Sequence, residues 1–331
     1  MDISIIVVNW NSADYTKQCV SSIRAFTHDS EYEILVVDNA SSDDSVEVLQ
    51  SLPGIRLIRS PENLGFARAN NLGAQQSSGR VLLFLNPDTK LVGPAINRMY
   101  TALVSSTSVG IVGCKLLNAD LTLQTSCIQP FPTILNQVTD IERLKRAFPQ
   151  VRMWGIGPLF KDSGDQPAAV EAVSGACLMI RREVFEQVRM FSMDYFMYGE
   201  DIDLCYKVRQ SGWTVGYVAD GTIVHYAGQS TKKRKDTSFG DVVTRESIHT
   251  FLKKTRGALY AQAYRACLGI ISILRLGVLI VAFVVPLIRV DRDYLRSAIR
   301  KWRSVFYWSL GLEQWAKRLR VNQPKITEIQ N

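Results

Sequence analysis

The sequence lacks several patterns that identify common protein classes. Its six cysteines are widely spaced and form no C-x-x-C pair, which argues against a zinc ribbon or a disulfide framework and fits a reducing compartment. No G-x-G-x-x-G motif follows the first apolar run, and no G-x-x-x-x-G-K-[ST] motif occurs anywhere. The sequence therefore gives little support for a Rossmann dehydrogenase or for a P-loop NTPase. The apolar run after Met1-Asp2 has no positively charged segment before it, so no signal peptide is predicted.

Charge is divided unevenly along a chain that otherwise has the composition of a folded protein. Of 331 residues, 47% are hydrophobic and 21% are charged. Residues 230–331 contain 20 Lys and Arg against 7 Asp and Glu, whereas residues 1–229 contain 19 against 24. The basic part also contains the most apolar stretch of the sequence. This combination favours an anionic membrane surface as a partner and argues against nucleic acid.

The apolar stretch, residues 266–288, carries a single charge, Arg275, and is long enough to cross a bilayer. An arginine near the middle of a span is costly, and Pro286 interrupts the far end. The sequence alone therefore leaves open whether this segment spans the membrane, lies on it or avoids it.

Residues 291–310 are predicted to form an amphipathic helix. Leu295, Ile299, Trp302 and Phe306 share one face of it, which is typical of a helix in the plane of a membrane interface. We expect Trp302, Tyr307 and Trp308 at that interface, and Arg296, Arg300 and Arg303 on anionic lipids. The alternative is a helical hairpin through which the chain forms a homo-oligomer, with its charges simply solvated.

Four β-branched runs alternate with three helical patterns in the amino-terminal part. The expected strands are 3–8, 33–37, 55–59 and 81–85, and the expected helices are 15–26, 43–49 and 66–76. Short connections between such elements predict an α/β fold, with a mostly parallel sheet covered by helices on both faces. Ligands of these sheets bind beyond the carboxyl ends of the strands. The polar residues expected there include Asn9, Asn11, Asp38, Asn86 and Asp88.

The second half of the fold is less regular. Residues 127–169 are rich in proline and predict a long excursion over the sheet, followed by strands at 170–180 and 214–225. Glu200 and Asp201 open a helix between these strands, where carboxylates either face a site or simply complement the helix dipole. His225 follows the last apolar run and is either a metal ligand or an ordinary histidine at a strand end.

Six motifs follow one another along this chain. They are IIVVNWN at 5–11, VVDNASSD at 36–43, NLGFARANN at 63–71, FLNPD at 84–88, SGA at 174–176 and GEDIDL at 199–204. Together they resemble the family 2 inverting glycosyltransferases, most closely bacterial rhamnosyltransferases that act on lipid-linked glycans. The resemblance implies a GT-A domain at residues 1–230, with a nucleotide-binding half at 1–110 and an acceptor half at 111–230. A basic helical region that associates with membranes is expected at 231–331.

The resemblance also implies roles for residues on the donor side. A divalent cation, Mn²⁺ or Mg²⁺, would neutralise the donor diphosphate, with Asp88 and His225 as its ligands. Asn86 stands where many relatives have aspartate, so one carboxylate remains and a further ligand is needed. Asp38 would accept the ring N–H of uracil or thymine, and Asn9 and Asn11 would line the nucleotide-sugar site. Arg68 either reaches the diphosphate or pairs with a carboxylate at the sheet end.

On the acceptor side the resemblance assigns the catalytic base to Asp201, with Glu200 orienting the acceptor or supporting the metal site. The implied reaction is transfer of a sugar, with L-rhamnose from dTDP-rhamnose the best choice and UDP-sugars an open alternative. The implied acceptor is a lipid-linked saccharide at the cytoplasmic face of the plasma membrane. Two other hypotheses stay open: a catalytically silent nucleotide-sugar-binding scaffold, and a soluble transferase that oligomerises through its helices. The basic run 232–235 is either solvated or in contact with a diphosphate or lipid.

Overall fold

The computed structural model describes residues 1–28, 30–160, 166–226, 239–284 and 291–316. The chain divides into two compact units. The sheet unit comprises residues 1–131, 141–193 and 200–233, and the helical unit comprises 132–140, 194–199 and 234–331. The basic run 232–235 lies outside the described residues.

The sheet unit contains eleven labelled strands and seven labelled helices among its described residues. The strands are β1 Ile3–Asn9, β2 Tyr32–Asp38, β3 Arg56–Arg59, β4 Val81–Leu85, β5 Thr89–Leu91, β6 Val109–Leu117, β7 Ile128–Gln129, β8 Ala168–Val170, β9 Ala172–Val173, β10 Cys177–Arg181 and β11 Thr214–His225. The helices are α1 Ala13–Phe26, α2 Ser45–Gln50, α3 Gly65–Gln75, α4 Ala95–Val104, α6 Glu142–Ala147, α7 Arg182–Gln187 and α8 Glu200–Gln210. Helix α5, Ile134–Val138, belongs to the helical unit.

The central sheet has the strand order β3-β2-β1-β4-β10-β6-β11-β5, with β8 paired to β11. The first four strands of this order run parallel, and β6 runs parallel to β11. Strand β10 is antiparallel to both of its neighbours. Every residue of β4 is buried, which explains why its sequence is apolar on both faces. The predicted α/β fold with a central, mostly parallel sheet is therefore confirmed.

Some strands were predicted with the wrong extent or missed. The single strand expected at 170–180 is divided into β8, β9 and β10, because β9 pairs with β7 in a separate two-stranded sheet whereas β8 and β10 belong to the central sheet. Strands β5 and β6 were not anticipated, since β5 is only three residues long and two glycines interrupt the apolar pattern of β6. The excursion after residue 127 is not structureless, because it contains α5, α6 and short turns of 3₁₀ helix.

Close packing of α3 against the sheet gives a stability prediction. A methyl group built on Gly73 would lie 2.6 Å from Ile6 Cγ2 and 3.1 Å from Val37 Cγ2. We therefore expect Gly73→Ala to lower the free energy of unfolding by about 1–3 kcal/mol, measured by urea denaturation. Gly93→Ala is the matched control, because a methyl group there meets nothing within 4 Å. Equal stability of the two variants would contradict the packing described for α3.

The helical unit contains three long helices besides α5. They are α9 Phe239–Arg256, α10 Ala258–Val284 and α11 Arg292–Ser309. Helix α10 is the one described helix that is long and apolar enough to cross a membrane. The amphipathic helix expected at 291–310 is present as α11.

Two tryptophans of α11 do not lie where the sequence placed them. Trp302 and Trp308 are buried within the helical unit instead of facing outwards. Trp308 donates a hydrogen bond from Nε1 to Glu246 Oε2 at 2.9 Å, and the Arg275 guanidinium lies 4.2 Å from the centre of the Trp302 ring. Amphipathic spacing identifies a buried face of a helix, but it does not distinguish burial in protein from burial in lipid. Tyr307 is exposed, and its place at a membrane interface stays a prediction.

Candidate active site

Two polar loops and the start of α8 are joined by hydrogen bonds beyond the carboxyl end of β4. The amide of Asn86 donates to the carbonyl of Ala176 at 3.0 Å, which links the loop after β4 to the loop between β9 and β10. The amide of Gly175 in that second loop donates to Asp201 Oδ2 at 2.9 Å. Three motifs that are distant in sequence, at 84–88, 174–176 and 199–204, therefore meet at one place.

Asp88 and His225 lie together at this edge of the sheet. His225 Nε2 is 3.3 Å from Asp88 Oδ1 and 3.3 Å from Asn86 Nδ2. The pairing of β11 with β5, in which His225 is opposite Thr89, fixes this approach. The backbone amide of Tyr226 also donates to the carbonyl of Asp88 at 2.9 Å. The histidine and carboxylate that the sequence selected are thus neighbours in the folded chain.

Gln124 holds the His225 ring, and sequence reasoning did not find it. Its Nε2 donates to the carbonyl oxygens of His225 at 2.7 Å and Leu117 at 3.4 Å. These contacts place Oε1, which can only accept, 3.1 Å from His225 Nδ1. A hydrogen bond there requires the proton on Nδ1, so in the neutral ring the lone pair of Nε2 is directed towards Asp88 and Asn86. A glutamine 101 residues away in sequence gives no local signal of this role.

This arrangement suits a divalent cation. A carboxylate oxygen and an imidazole lone pair that approach within 3.3 Å repel each other unless a cation or a proton lies between them. The distance is close to the roughly 3 Å expected between neighbouring ligands of an octahedral ion. The described residues contain no group of three or more His, Cys, Asp or Glu side chains arranged to hold a metal.

Asp38 is buried at the end of β2 and held by residues of the first two motifs. Its Oδ1 accepts from Asn9 Nδ2 at 2.9 Å and from Ser41 Oγ at 2.6 Å, and its Oδ2 accepts from the amide of Ser41 at 3.1 Å. These donors hold the carboxylate in one orientation. Contact of Asp38 with the base of a nucleotide stays a prediction.

Asn9 and Asn11 occupy different environments. Asn9 is buried, and its Oδ1 accepts from Ser12 Oγ at 3.1 Å and from Thr16 Oγ1 at 2.9 Å. These two bonds orient the side chain so that Nδ2 donates to Asp38, and Asn9 thereby positions that carboxylate. Asn11 lies nearer the surface with a φ of 52°, and its Oδ1 accepts from the amide of Ser42 at 2.8 Å. Direct contact of either side chain with a nucleotide sugar stays a prediction.

Arg68 lies on α3, and hydrogen bonds connect the start of this helix to the end of β2. The side chain of Asn39 donates to Asn63 Oδ1 at 3.1 Å and accepts from the amide of Leu64 at 2.8 Å, which fixes the start of α3. Arg68 itself is buried. Burial lowers the pKa of its guanidinium, and the charge of Glu62 acts in the opposite direction. Both predicted partners of Arg68, a diphosphate and a carboxylate at the sheet end, are anions suited to a buried cation, and the choice between them stays a prediction.

Asp201 and Glu200 begin α8 but differ in their surroundings. Asp201 is half-buried and accepts from the amide of Gly175, where a methyl group would lie only 3.3 Å from Asp201 Cβ. Glu200 is buried, and its Oε2 has no hydrogen-bond partner within the described part of the chain. Burial raises the pKa of Glu200 well above its usual range, and the charge of Asp201 raises it further. The protonated form of Glu200 is therefore favoured beside Asp201, whose oxygens both accept hydrogen bonds.

A family model described as Glycosyl transferase family 2 matches residues 4–189, more than half of the chain. The chain belongs to glycosyltransferase family 2. A second family model, Glycosyl transferase family group 2, matches residues 122–316. The resemblance that the six motifs carried is thereby confirmed, and the loops that meet beyond β4 are those of a family 2 glycosyltransferase.

Curated relatives of this family 2 chain act in glycan synthesis, according to their names. The chain is 28% identical over 219 residues to the low-salt glycan biosynthesis hexosyltransferase Agl10 of Haloferax volcanii, covering 65% of this chain and 64% of that one. It is 24% identical to the N-acetylglucosaminyl-diphospho-decaprenol L-rhamnosyltransferase of Mycobacterium tuberculosis, covering 69% and 76%. It is 26% identical to the rhamnosyltransferase WbbL of Escherichia coli, covering 67% and 83%. Another relative, the O-antigen biosynthesis protein RfbC of Myxococcus xanthus, is matched over only 18% of its length.

Solved structures confirm the GT-A fold of this chain. The mannosyltransferase PcManGT from Pyrobaculum calidifontis, solved with GDP-Man and Mn²⁺, aligns with a TM-score of 0.55 at 15% identity, covering 95% of this chain and 87% of that one. S. aureus TarS residues 1–349, solved with UDP-GlcNAc, aligns with a TM-score of 0.50 at 14% identity, covering 94% and 92%. At these identities the likeness extends to the fold alone.

Proposed function

We propose that this chain is a metal-dependent inverting glycosyltransferase that transfers L-rhamnose from dTDP-rhamnose to a hydroxyl of a lipid-linked saccharide in cell-surface polysaccharide synthesis. The observation that carries the proposal is that Asp88 and His225 lie together at the edge of the sheet where the loop at 174–176 binds both Asn86 and Asp201. The names of the rhamnosyltransferase relatives support the choice of sugar and of a lipid-linked acceptor.

The metal would be held by Asp88 and by Nε2 of His225. When bound, a Mn²⁺ or Mg²⁺ ion neutralises charge on the diphosphate of the donor and of the leaving group. Gln124 presents the lone pair of Nε2, because it keeps the proton on Nδ1. Asn86 places a neutral amide group beside this pair, where many relatives have a second carboxylate. The buried cation Arg68 is assigned to the diphosphate.

Asp201 is proposed as the general base. Direct displacement forms a bond from the acceptor oxygen to the anomeric carbon while the bond from that carbon to the diphosphate oxygen breaks. The nucleoside diphosphate leaves with the electron pair, and the acceptor proton passes to a carboxylate oxygen of Asp201. The amide of Gly175 orients this carboxylate, and the protonated form of neighbouring Glu200 avoids a second negative charge beside it. Glu200 is then able to donate a hydrogen bond that orients the acceptor.

The base of the donor is proposed to meet the end of β2. The carboxylate of Asp38 accepts only, so it suits the ring N–H of uracil or thymine and not the unprotonated ring nitrogen of cytosine. Asn9 and Ser41 hold this carboxylate in place without using all of its lone pairs. Asn11 lies on the adjoining loop, where it is assigned to the nucleotide sugar.

We place the enzyme at the cytoplasmic face of the plasma membrane, where a nucleotide sugar and a polyprenyl-linked acceptor are both accessible. An acceptor with a diphospho-decaprenol group appears in the name of one relative. The apolar helix α10 and the basic composition of residues 230–331 support a place next to anionic lipid. The basic helical region at 231–331 is proposed to serve this attachment, and the domain at 1–230 to perform the transfer.

A panel of nucleotide sugars tests the choice of donor. The melting temperature of the full chain is measured with Mn²⁺ and dTDP-, UDP-, GDP- and CDP-linked sugars, because a ligand present at a hundred times its Kd stabilises the folded state by about 2.7 kcal/mol. We expect the largest increase with dTDP-rhamnose, a smaller one with UDP-sugars and none with CDP-sugars. An increase only with GDP- or CDP-sugars would contradict the assignment of Asp38.

The role of Gln124 gives a prediction that does not depend on turnover. Gln124→Met keeps the shape of the side chain but removes the acceptor for His225 Nδ1. We expect the affinity for Mn²⁺, measured by electron paramagnetic resonance in the presence of dTDP, to fall by about 10- to 100-fold. Gln187→Met is the matched control, because Gln187 bonds only to the half-buried Trp213 indole among the described contacts. Unchanged Mn²⁺ affinity in Gln124→Met would contradict the role of Gln124.

A further inference from the structure

One face of α10 is apolar and exposed within the helical unit. Ile270, Ile273, Leu274, Val278, Val281 and Val284 recur at helical spacing, and between 56% and 69% of each residue is exposed. The opposite face is packed, since Tyr264, Leu268 and Ser272 are buried. No charged residue occurs on the exposed face between residues 266 and 284, because Arg275 is the one charge in that range. A soluble protein seldom leaves such a continuous apolar stripe in water.

The charge in the apolar helix is directed into the protein. Arg275 lies over the Trp302 ring and donates from a guanidinium nitrogen to the carbonyl of Val138 at 3.3 Å. Arg265, one turn before the stripe begins, donates to the carbonyl of Ser309 at 3.1 Å. Both arginines of α10 therefore bind other segments of the helical unit and leave the exposed stripe uncharged.

Helix α11 runs antiparallel to α10 over most of the stripe. Arg265 contacts Ser309, Arg275 contacts Trp302, and the Arg292 guanidinium lies 5.8 Å from the centre of the Phe283 ring. Residues 296–303 of α11 are therefore level with residues 274–281 of α10, which form the middle of the stripe. Arg296, Arg300 and Arg303 are exposed on this part of α11.

This register excludes a simple crossing of the membrane by α10. If α10 spanned the bilayer, the exposed arginines of α11 would be carried into the hydrocarbon region beside it, where charged side chains are costly. Crossing without them would require α11 to separate from α10, with the loss of the contacts of Trp302 with Arg275 and of Trp308 with Arg265 and Tyr264. Length and composition alone do not reveal this, because α10 is long enough to span.

We propose that the α10–α11 hairpin lies in the plane of an anionic lipid bilayer, with the exposed stripe of α10 inserted into one leaflet and no segment of the hairpin crossing. A helix in this position buries its apolar side to a depth of about 5–10 Å. The occupant is a lipid surface and not a second copy, because residues 230–331 carry 20 basic against 7 acidic residues. That excess attracts anionic lipids and repels another copy of the same region.

Vesicle flotation of the full-length chain tests the insertion. The wild type is expected to float with vesicles that contain one third phosphatidylglycerol, and less with pure phosphatidylcholine. Leu274→Glu, Val278→Glu and Val281→Glu together should weaken the partition into anionic vesicles by at least about a hundredfold. The matched control places three glutamates on exposed apolar residues of the sheet unit, at Val92, Val104 and Leu121, and should float as the wild type does. Melting curves establish that both variants are folded.

Labelling from one side of the vesicle distinguishes lying in the plane from crossing. Leu259→Cys and Tyr294→Cys each place a thiol on an exposed position, one at the start of α10 and the other near the start of α11. In protein added to preformed vesicles, a membrane-impermeant maleimide is expected to label both thiols completely from outside. Labelling of Leu259→Cys with protection of Tyr294→Cys until the vesicles are lysed would mean that α10 crosses, and would overturn the proposal.

Two further outcomes would also overturn it. The first is flotation of the triple glutamate variant equal to that of the wild type. The second is a dimer of the wild type in detergent-free sedimentation that the same three substitutions convert to a monomer, because the stripe would then be an interface between copies. Flotation requires neither the nucleotide-sugar donor nor the saccharide acceptor. A failure here would therefore leave the proposed sugar transfer intact, and a chain without transferase activity could still insert.

Discussion

Asp88→Ala is expected to abolish both sugar transfer and metal-dependent binding of the donor. Asp88 provides the carboxylate of the pair with His225, so its loss leaves one protein ligand and an uncompensated diphosphate. We expect transfer to fall by at least about a thousandfold, since second-shell changes alone cost about 10- to 100-fold. Binding of Mn²⁺ in the presence of dTDP should become undetectable by electron paramagnetic resonance.

The control for this prediction is Asp120→Ala, which removes the same charge from an exposed loop of the sheet unit. Asp120 accepts hydrogen bonds from Thr122 alone among the described contacts, so transfer should be unchanged. The fold of Asp88→Ala should persist, because Tyr226 bonds to the backbone carbonyl of Asp88 and not to its side chain. Near-normal transfer by Asp88→Ala in EDTA would show that no metal is needed.

Asp201→Asn is expected to lower the rate of sugar transfer without weakening the binding of the donor. The amide cannot take the proton of the acceptor hydroxyl, so transfer should fall by about 10²–10⁴, which is the usual contribution of a positioned base. Asparagine keeps the size of the side chain and one oxygen able to accept from the amide of Gly175. The Kd of the donor, measured by calorimetry with Mn²⁺, should therefore change by less than about threefold.

Asp203→Asn is the matched control two residues along the same helix. Asp203 is buried and accepts a hydrogen bond from Ser192, with Lys207 at 3.8 Å, so its role is to hold α8 in place. We expect this variant to melt at a lower temperature but to keep most of its transfer rate per folded molecule. If Asp201→Asn lost donor binding while bound donor still turned over normally, Asp201 would not be the base.

Strands β1, β2 and β4 were predictable because each is a short apolar run that is mostly buried, whereas β3 was predictable from its position although only Ile58 in it is buried. The expected strand at 81–85 coincides with β4, and the expected strand at 3–8 ends one residue before β1 does. The register of parallel strands then brings Asn9 next to Asp38, as their pairing in the sheet confirms. Local pattern was sufficient there because β1 and β2, and β2 and β3, are consecutive in sequence and neighbours in the sheet.

The remainder of the site depends on contacts that no local pattern encodes. Gln124 acts on His225 across 101 residues, and the amide that holds Asp201 comes from Gly175, in a loop that interrupts a predicted strand. Likewise the amphipathic pattern of α11 identified a buried face correctly but assigned Trp302 and Trp308 to lipid, whereas both pack inside the helical unit. Hydrophobic periodicity reports that a face is buried, and only the fold reveals what covers it.

The most direct test of inverting transfer is the configuration of the product. The full-length chain is incubated with dTDP-rhamnose, Mn²⁺ and a short-chain polyprenyl-diphospho-N-acetylglucosamine, and the anomeric configuration of the new glycoside is determined by NMR. We predict a rhamnosyl product with the configuration opposite to that of the donor, formed by the wild type and lost in Asp88→Ala and Asp201→Asn. A product that retains the configuration of the donor, or tight donor binding with no transfer to any lipid-linked saccharide, would contradict this account.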